Sequence, residues 1–258
     1  MKVCVLGSGS SGNCTYVSSA GTSILVDAGL SGKETLKRLE TVGAASDTLV
    51  AVCLTHEHDD HCTSLSVLSR KGGTALYANS GTVEAIEKGG KVAGLKWNVF
   101  TTGAPFVIGS LRLEPFSVPH DAFDPVGFIV SDGSSRLGVV TDIGMATGLV
   151  RERLKGCHVI VVESNHDEDL LRGADRPWVL KQRILGRQGH LSNRQAGELL
   201  VEVAGPDLRA VFLAHLSSQC NRPDLAVRTV SDILGKAGRS SVAVKLTFAD
   251  RASEVIEW

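Results

Sequence analysis

Leu49-Val50-Ala51-Val52-Cys53-Leu54-Thr55-His56-Glu57-His58-Asp59-Asp60-His61 passes from an unbroken apolar run straight into three imidazoles and three carboxylates. The apolar part reads as a strand. A strand ending there delivers the polar cluster to the rim of a sheet, where loops carry functional groups. Six such side chains in a row pack poorly and repel one another unless a positive charge sits among them. A divalent metal supplies that charge, and imidazole with carboxylate suits zinc, manganese or iron without any cysteine. The bland alternative is a solvated acidic loop with incidental histidines, and clustering this dense argues against it.

The same arrangement recurs along the chain. His120 follows an apolar stretch in Ser117-Val118-Pro119-His120, Asp142 does so in Val139-Val140-Thr141-Asp142, and His215 does so in Val211-Phe212-Leu213-Ala214-His215. Taken singly, each reads more readily as structural, a rim histidine or a turn-forming aspartate. Together they are four strand ends converging with ligand-type side chains, as when parallel or mixed sheets place a site along one edge. Asp27, after Ile24-Leu25-Val26, is expected either to support the histidine loop through hydrogen bonds or simply to form a turn.

Around these sites, β-branched runs predict strands at Lys2 to Leu6, Thr15 to Val17, Ser23 to Asp27, Leu49 to Leu54, Thr74 to Tyr77, Leu111 to Ser117, Val126 to Val130, Arg136 to Thr141, Val159 to Glu163 and Ala210 to Ala214. A final strand is expected at Ser241 to Thr247. Helical spacing predicts helices at Lys33 to Leu39, Thr63 to Arg70, Gly81 to Lys88, Ala146 to Leu154 and Pro223 to Leu234, with another at Asn193 to Val203 capped by Ser192. Two strand-rich halves, each followed by helices, fit an α/β, four-layer αββα sandwich: two mixed β-sheets face to face with helices on the outer faces. No Pro- or Ser-rich linker divides the 258 residues, so a single domain over 1–258 is expected.

At this point the chain resembles the metallo-β-lactamase superfamily, whose H-x-H-x-D-H motif is matched by His56, His58, Asp60 and His61. The resemblance implies that His56, His58 and His120 bind one metal, that Asp60, His61 and His215 bind a second, and that Asp142 bridges them. Within the superfamily the chain looks like the YycJ/WalJ-type group of bacterial cytoplasmic proteins, regarded as DNA exonucleases acting from the 5′ end. That likeness rests on Gly7-Ser8-Gly9-Ser10-Ser11-Gly12-Asn13, His120-Asp121-Ala122, Pro125-Val126-Gly127-Phe128, Glu163-Ser164-Asn165-His166-Asp167, Gly189-His190-Leu191-Ser192-Asn193 and His215-Leu216-Ser217. The short interval between Asp142 and His215 leaves no room for the large inserted domain of the β-CASP nucleases.

The expected function is therefore metal-dependent hydrolysis, as a phosphodiesterase or 5′–3′ DNA exonuclease. Two metals about 3.5–4 Å apart share and activate a water as nucleophile. Asp60 and His190 are the candidate catalytic residues, His190 as the acid for the departing oxygen. The competing role for His190 is a cap of the helix behind it. Ser192, Asn193 and Arg187 are the candidate substrate contacts, with helix-start amides facing a phosphate. His166 either approaches the site or faces solvent, the latter being favoured. Between Arg172 and Arg194 lie Arg172, Arg176, Lys181, Arg183, Arg187 and Arg194 against one acid, Asp175. They form either a phosphate-neutralising patch or a merely wet surface. Trp178 within it is expected to pack in the core rather than stack on a base.

Composition narrows the rest. With 27 basic and 28 acidic side chains the net charge is −1, so no global field selects nucleic acid. The amino terminus turns to Gly and Ser too early for a secretion signal and no long apolar run exists, so a cytoplasmic chain without a membrane partner is expected. Six scattered cysteines read as reduced packing residues, with Cys62 and Cys220 worth attention for their closeness to proposed ligands. Two other functions stay open: a small-molecule metallo-hydrolase acting on a thioester, lactone or cyclic phosphodiester, and a metal-binding regulatory protein with little activity.

Overall fold

The computed structural model describes residues 1–44, 48–90 and 94–258. Among these, two seven-stranded sheets lie face to face. The first contains β1 (Lys2–Gly7), β2 (Cys14–Ser19), β3 (Thr22–Val26), β4 (Leu49–Cys53), β5 (Ala75–Asn79) and β6 (Trp97–Phe100) in sequential order. The second runs through β7 (Phe106–Ile108), β8 (Leu111–Ser117), β9 (Val126–Ser131), β10 (Arg136–Val140), β11 (Val159–Glu163), β12 (Ala210–Ala214) and β13 (Ala243–Leu246). A short β14 (Ile256–Glu257) returns to pair antiparallel with β1. Hence β13 is not the last strand, as the sequence reading expected.

Strand periodicity builds the layers. In β11, Val159 and Val161 face the inter-sheet core with Phe128 and Phe212, whereas Ile160 and Val162 face outward beneath helices. Outside the second sheet, α5 (Gly148–Leu154), α8 (Asn193–Val203) and α9 (Pro223–Lys236) bury Leu154, Leu199, Leu200, Val230 and Leu234 on it. Outside the first, α1 (Gly32–Thr41), α3 (Leu65–Gly72) and α4 (Ser80–Lys88) cover Leu6, Leu25, Val52 and Leu76. The αββα sandwich is thus the fold.

Local chemistry starts the helices where the sequence placed them. Ser31 Oγ accepts from Glu34 N at the head of α1, Asn79 caps α4, and Thr147 caps α5. Ser192 and Gln195 form a reciprocal capping box on α8. Three differences stand out. The helix expected from Thr63 starts at Leu65 as α3 and is preceded by an unexpected single turn, α2 (Asp59–Cys62), formed by the histidine cluster itself and favoured by two acids at its start. The polar stretch after β11 carries α6 (Glu168–Gly173) and α7 (Trp178–Leu185). The edge strands β6 and β7 are too short for an alternating pattern to show.

Most strands that matter run the same way. β3 and β4 are parallel, as are β10, β11 and β12. β8 joins them in direction through the antiparallel β9. Their carboxyl ends share one edge, which is why residues far apart in sequence meet there.

At the opposite edge the sheets are joined by Asp132, in the turn between β9 and β10. Its carboxylate accepts from Ser19 Oγ at 2.6 Å, from Ser135 N at 2.8 Å and from Ser134 N at 3.1 Å. Burial opposes the charge, yet these donors hold the carboxyl down at about 2. Replacing Asp132 by Ala is expected to lower unfolding stability by about 1–2 kcal/mol near neutral pH. Because the folded pKa is depressed, the difference between wild type and variant should be complete above the ordinary carboxyl value and shrink as pH falls towards 2. Urea melts at pH 7 and pH 2.5 check both statements.

Candidate metal centre

Three site residues take a left-handed backbone that non-glycine residues rarely adopt: Asp27 at φ 64°, Asp142 at φ 52° and His215 at φ 57°. Each follows a strand, and the turn swings its side chain back over the sheet edge. Asp and His are among the few non-glycine types enriched in this conformation, while its cost is borne by the packing around them.

The histidine loop is clamped from beneath. Asn13 N donates to Asp60 O at 2.7 Å, Ala28 N to His61 O at 2.8 Å, and Asp27 Oδ1 accepts from Thr55 N at 2.8 Å. Gly29 lies so close that a Cβ there would sit 1.6 Å from Asp60 O. The glycine and serine opening of the chain has a physical role here. Ser8 Oγ accepts from His215 N at 2.7 Å, and Asn13 Nδ2 stands 3.2 Å from Asp60 Oδ2 and 3.1 Å from His61 Nε2.

The imidazoles follow one plan. In four of them one ring nitrogen is held by the protein: His56 Nδ1 by Thr55 Oγ1 at 2.9 Å, His61 Nδ1 by Asp27 Oδ2 at 2.8 Å, His120 Nδ1 by Gly189 O at 3.3 Å, and His215 Nδ1 by Glu163 Oε1 at 2.8 Å. The other nitrogens converge. His56 Nε2 is 3.1 Å from His58 Nδ1, and the His120 ring lies 5.1 and 5.2 Å from those two rings. Asp60 Oδ2 lies 3.7 Å from His61 Nε2 and 3.6 Å from His215 Nε2. Asp142 stands between the groups, with Oδ2 at 3.1 Å from His61 Nε2 and Oδ1 at 3.9 Å from His120 Nε2 and 3.1 Å from His215 Nδ1.

This is the donor chemistry of a divalent-metal centre, in which an outer acceptor fixes the tautomer and aim of each ligating ring. His120 Nε2 and His215 Nε2 are buried with no hydrogen-bond partner, so the residues fit a cation. Titration points the same way. Burial opposes protonation of His215, but Asp142, Asp60 and Glu163 push it up to about 10. His61 is raised well above its ordinary value by Asp27 and Asp142 against the same opposition. Burial, reinforced by the neighbouring rings of His61, His120 and His58, holds His56 well below its ordinary value. The carboxylates thus demand positive charge at this spot.

Glu163 is the residue the sequence reading left without a role. Wholly buried, it accepts from His190 Nδ1 and His215 Nδ1 at 2.8 Å with one oxygen, and from Ile143 N and Leu191 N at 3.0 and 3.1 Å with the other. Its carboxyl is held at about 2 by those histidines although burial works against the charge. Strand alternation offered the clue: after Val159 and Val161 the next inward position of β11 is Glu163, and an acid there requires a partner.

The remaining candidates separate clearly. His190 lies at the centre, its ring 5.4 Å from that of His120 and 5.2 Å from that of His215. His166 is buried rather than solvated, because β-bridging to Ser192 draws it under the loop, and burial drives its pKa down to about 4. Ser192 and Asn193 are also buried and occupied: the former caps α8 and donates to Glu168 Oε1, and the latter bonds Ser164 and Asn221. Neither offers a free group to a substrate. Arg187 is exposed and lies outside the cavity beside the centre.

Half of the basic stretch, Arg172, Arg183 and Arg194, is paired with acids outside it. Arg172 pairs with Asp169 and Glu168, and Arg194 with Glu168 and Glu198. Only Arg176 and Arg183 of this stretch line the cavity beside the centre. Trp178 is 63% exposed, not in the core, because the short α7 turns its apolar side inward through Leu180 and Ile184. All six cysteines are free and buried, and Cys62 Sγ donates to His56 O at 3.4 Å. No helix among the described residues is long and apolar enough to cross a membrane.

Comparison with known proteins agrees with this geometry. A family model described as a beta-lactamase superfamily domain matches residues 22–215. The exodeoxyribonuclease YycJ of Bacillus anthracis is 36% identical over 235 residues, covering 91% of this chain and 89% of that protein. The exodeoxyribonuclease WalJ of Streptococcus pneumoniae is 36% identical over 239 residues, covering 92% and 89%. Among solved structures, the metallo-beta-lactamase fold protein YhfI from Bacillus subtilis superposes with a TM-score of 0.75 at 19% identity, covering 100% of this chain and 98% of the other.

The outer acceptors make a quantitative expectation. Asp27→Asn, which keeps size but removes the carboxylate behind His61, should weaken manganese binding by about 10–100-fold with little change in far-ultraviolet circular dichroism. Isothermal titration of the metal-stripped protein measures it, and unchanged affinity contradicts the role given to Asp27.

Proposed function

The chain belongs to the beta-lactamase superfamily, and from that membership we propose a metal-dependent exodeoxyribonuclease that hydrolyses DNA phosphodiesters from the 5′ end. The relatives named above supply the substrate class, and the sequence resemblance supplies the polarity. The observation that carries the reading is the cavity beside the donors, lined by Arg176, Arg183, Asp121, His190, Asn165 and Ser217: Asp121 pairs with Arg183, and the arginines, the histidine and the hydrogen-bonding groups together suit phosphate oxygens.

In this reading His56, His58 and His120 hold one divalent ion, Asp60, His61 and His215 hold a second, and Asp142 serves both. Manganese or zinc suits these ligands, with iron as a further candidate. When bound, such a pair supplies an activated water near neutral pH and charge for the phosphoryl oxygens.

The protein's own residues do the positioning. Glu163, acceptor-only when ionised, requires the proton of His190 to sit on Nδ1 and fixes the plane of the ring. Burial disfavours the charged ring, but Glu163 overcomes it and raises the His190 pKa. A protonated His190 beside the cavity is placed to give a proton to the departing oxygen. Because Glu163 also holds His215, one carboxylate ties the proton donor to a metal ligand.

Purified protein with manganese is expected to degrade 5′-labelled DNA, and His58→Ala should lower kcat at least hundredfold while leaving the fold intact. A panel of small esters and lactones, tested beside it, should turn over slowly. Intact DNA alongside brisk lactone or ester turnover would replace this reading with small-molecule hydrolysis, and inertness on all substrates with metal bound would favour a regulatory protein.

A further inference from the structure

The loop between β8 and β9 carries the donor His120 and, shortly after it, Phe123, whose side chain is 60% exposed. The ring stands outside the cavity lined by Arg176 and Arg183. A single exposed apolar side chain is ordinary on a protein surface. Phe123 differs in how firmly its backbone is held.

Glu57, between His56 and His58, accepts from Phe123 N through Oε1 at 2.8 Å, which ties the loop to the histidine cluster. At the next residue, Asn79 Nδ2 donates to Asp124 O at 2.7 Å and Thr102 Oγ1 donates to Asp124 Oδ2 at 2.9 Å. Helix α4 packs straight against the loop: a Cβ on Gly81 would stand 2.8 Å from Asp124 Cβ and 3.1 Å from Phe123 Cδ1. The loop is therefore pinned while the ring meets solvent, so little ordering is left for a partner to impose. Lys88, at the end of α4, places Nζ 5.9 Å from the ring centroid. Its pairing with Glu84 at 2.5 Å is exposed on both sides, a weak contact that a backbone phosphate can replace.

Resting on the exonuclease reading, we propose that Phe123 is a stacking residue for a nucleobase of the substrate strand, close to the phosphodiester that is cut. A strand whose phosphodiester reaches the donors must pass over the rim that Glu57 and His120 share with Phe123. The apolar faces such a strand offers there are its bases. Stacking accepts all four bases, because each has a π-face, so the contact adds affinity without selecting sequence. Phe123 touches no reacting atom and acts on binding.

The test uses the full chain loaded with manganese and duplexes in which the nucleotides near the digested end are replaced, one at a time, by an abasic site, with release of the first nucleotide as the readout. Losing one stacked base costs about 5–150-fold in affinity. Phe123→Ala should lower kcat/KM on the intact duplex by about fivefold or more, mainly through KM. The wild type should show a comparable loss at one abasic position, and Phe123→Ala should be insensitive there, because both changes remove the same contact. Phe123→Trp should keep wild-type behaviour, and Phe123→Leu, apolar but not flat, should resemble Phe123→Ala. Wild-type kinetics in Phe123→Ala overturn the contact, and wild-type kinetics in Phe123→Leu overturn stacking. A loss in Phe123→Ala that leaves its sensitivity to every abasic position unchanged also overturns the proposal, since the ring would then act on the loop and not on a base. Each of these results leaves the exonuclease reading in place, whereas no hydrolysis of any duplex by the metal-loaded wild type overturns that reading and this proposal with it.

Discussion

Buried imidazoles and carboxylates at one sheet edge stay together only if each ring has a fixed proton and a cation balances the acids. For His56, His61, His120 and His215 the molecule meets the first condition through Thr55, Asp27, the Gly189 carbonyl and Glu163, each holding one ring nitrogen and aiming the other inward. The second is chemistry for a divalent metal. Much else in the fold follows from placing those four acceptors.

Parallel strands do the coarse placement, since β3, β4, β10, β11 and β12 all end at the same edge. Fine placement comes from close backbone approaches and unusual dihedrals. Gly29 lets the loop after β3 lie against Asp60, and Gly144 lets the Asp142 turn lie against the chain at Arg187, where a Cβ would approach to 2.5 Å. The left-handed residues Asp27, Asp142 and His215 store strain where the ligands converge, and the αββα core on either side of the sheets compensates it.

The sequence made the layers and the histidine cluster legible because both are local patterns: apolar runs of strand length, and ligand-type residues directly after them. β8, β11, α8 and β12 begin and end where the pattern placed them, since long alternation and the Ser192 cap leave little freedom. Short edge elements such as β7 and β14 were not legible, because two or three residues carry no period. The surroundings of the centre were harder still. Glu163 looks like the last residue of an apolar strand until His190 and His215 are seen on either side of it. The basic run looked like a continuous patch because its neutralising partners, Glu168, Asp169, Glu198 and Asp121, lie outside the window in sequence. Trp178 and His166 exchanged their expected environments for the same reason: helix orientation and loop burial are set by tertiary contacts.

The most direct test of the centre is anomalous-difference crystallography of the manganese-loaded protein. The proposed assignment predicts two ions, one against His56, His58 and His120 and one against Asp60, His61 and His215, with Asp142 touching both and Glu163 touching neither. A single ion held by Glu163 and His190, or no ion at these histidines, would contradict it.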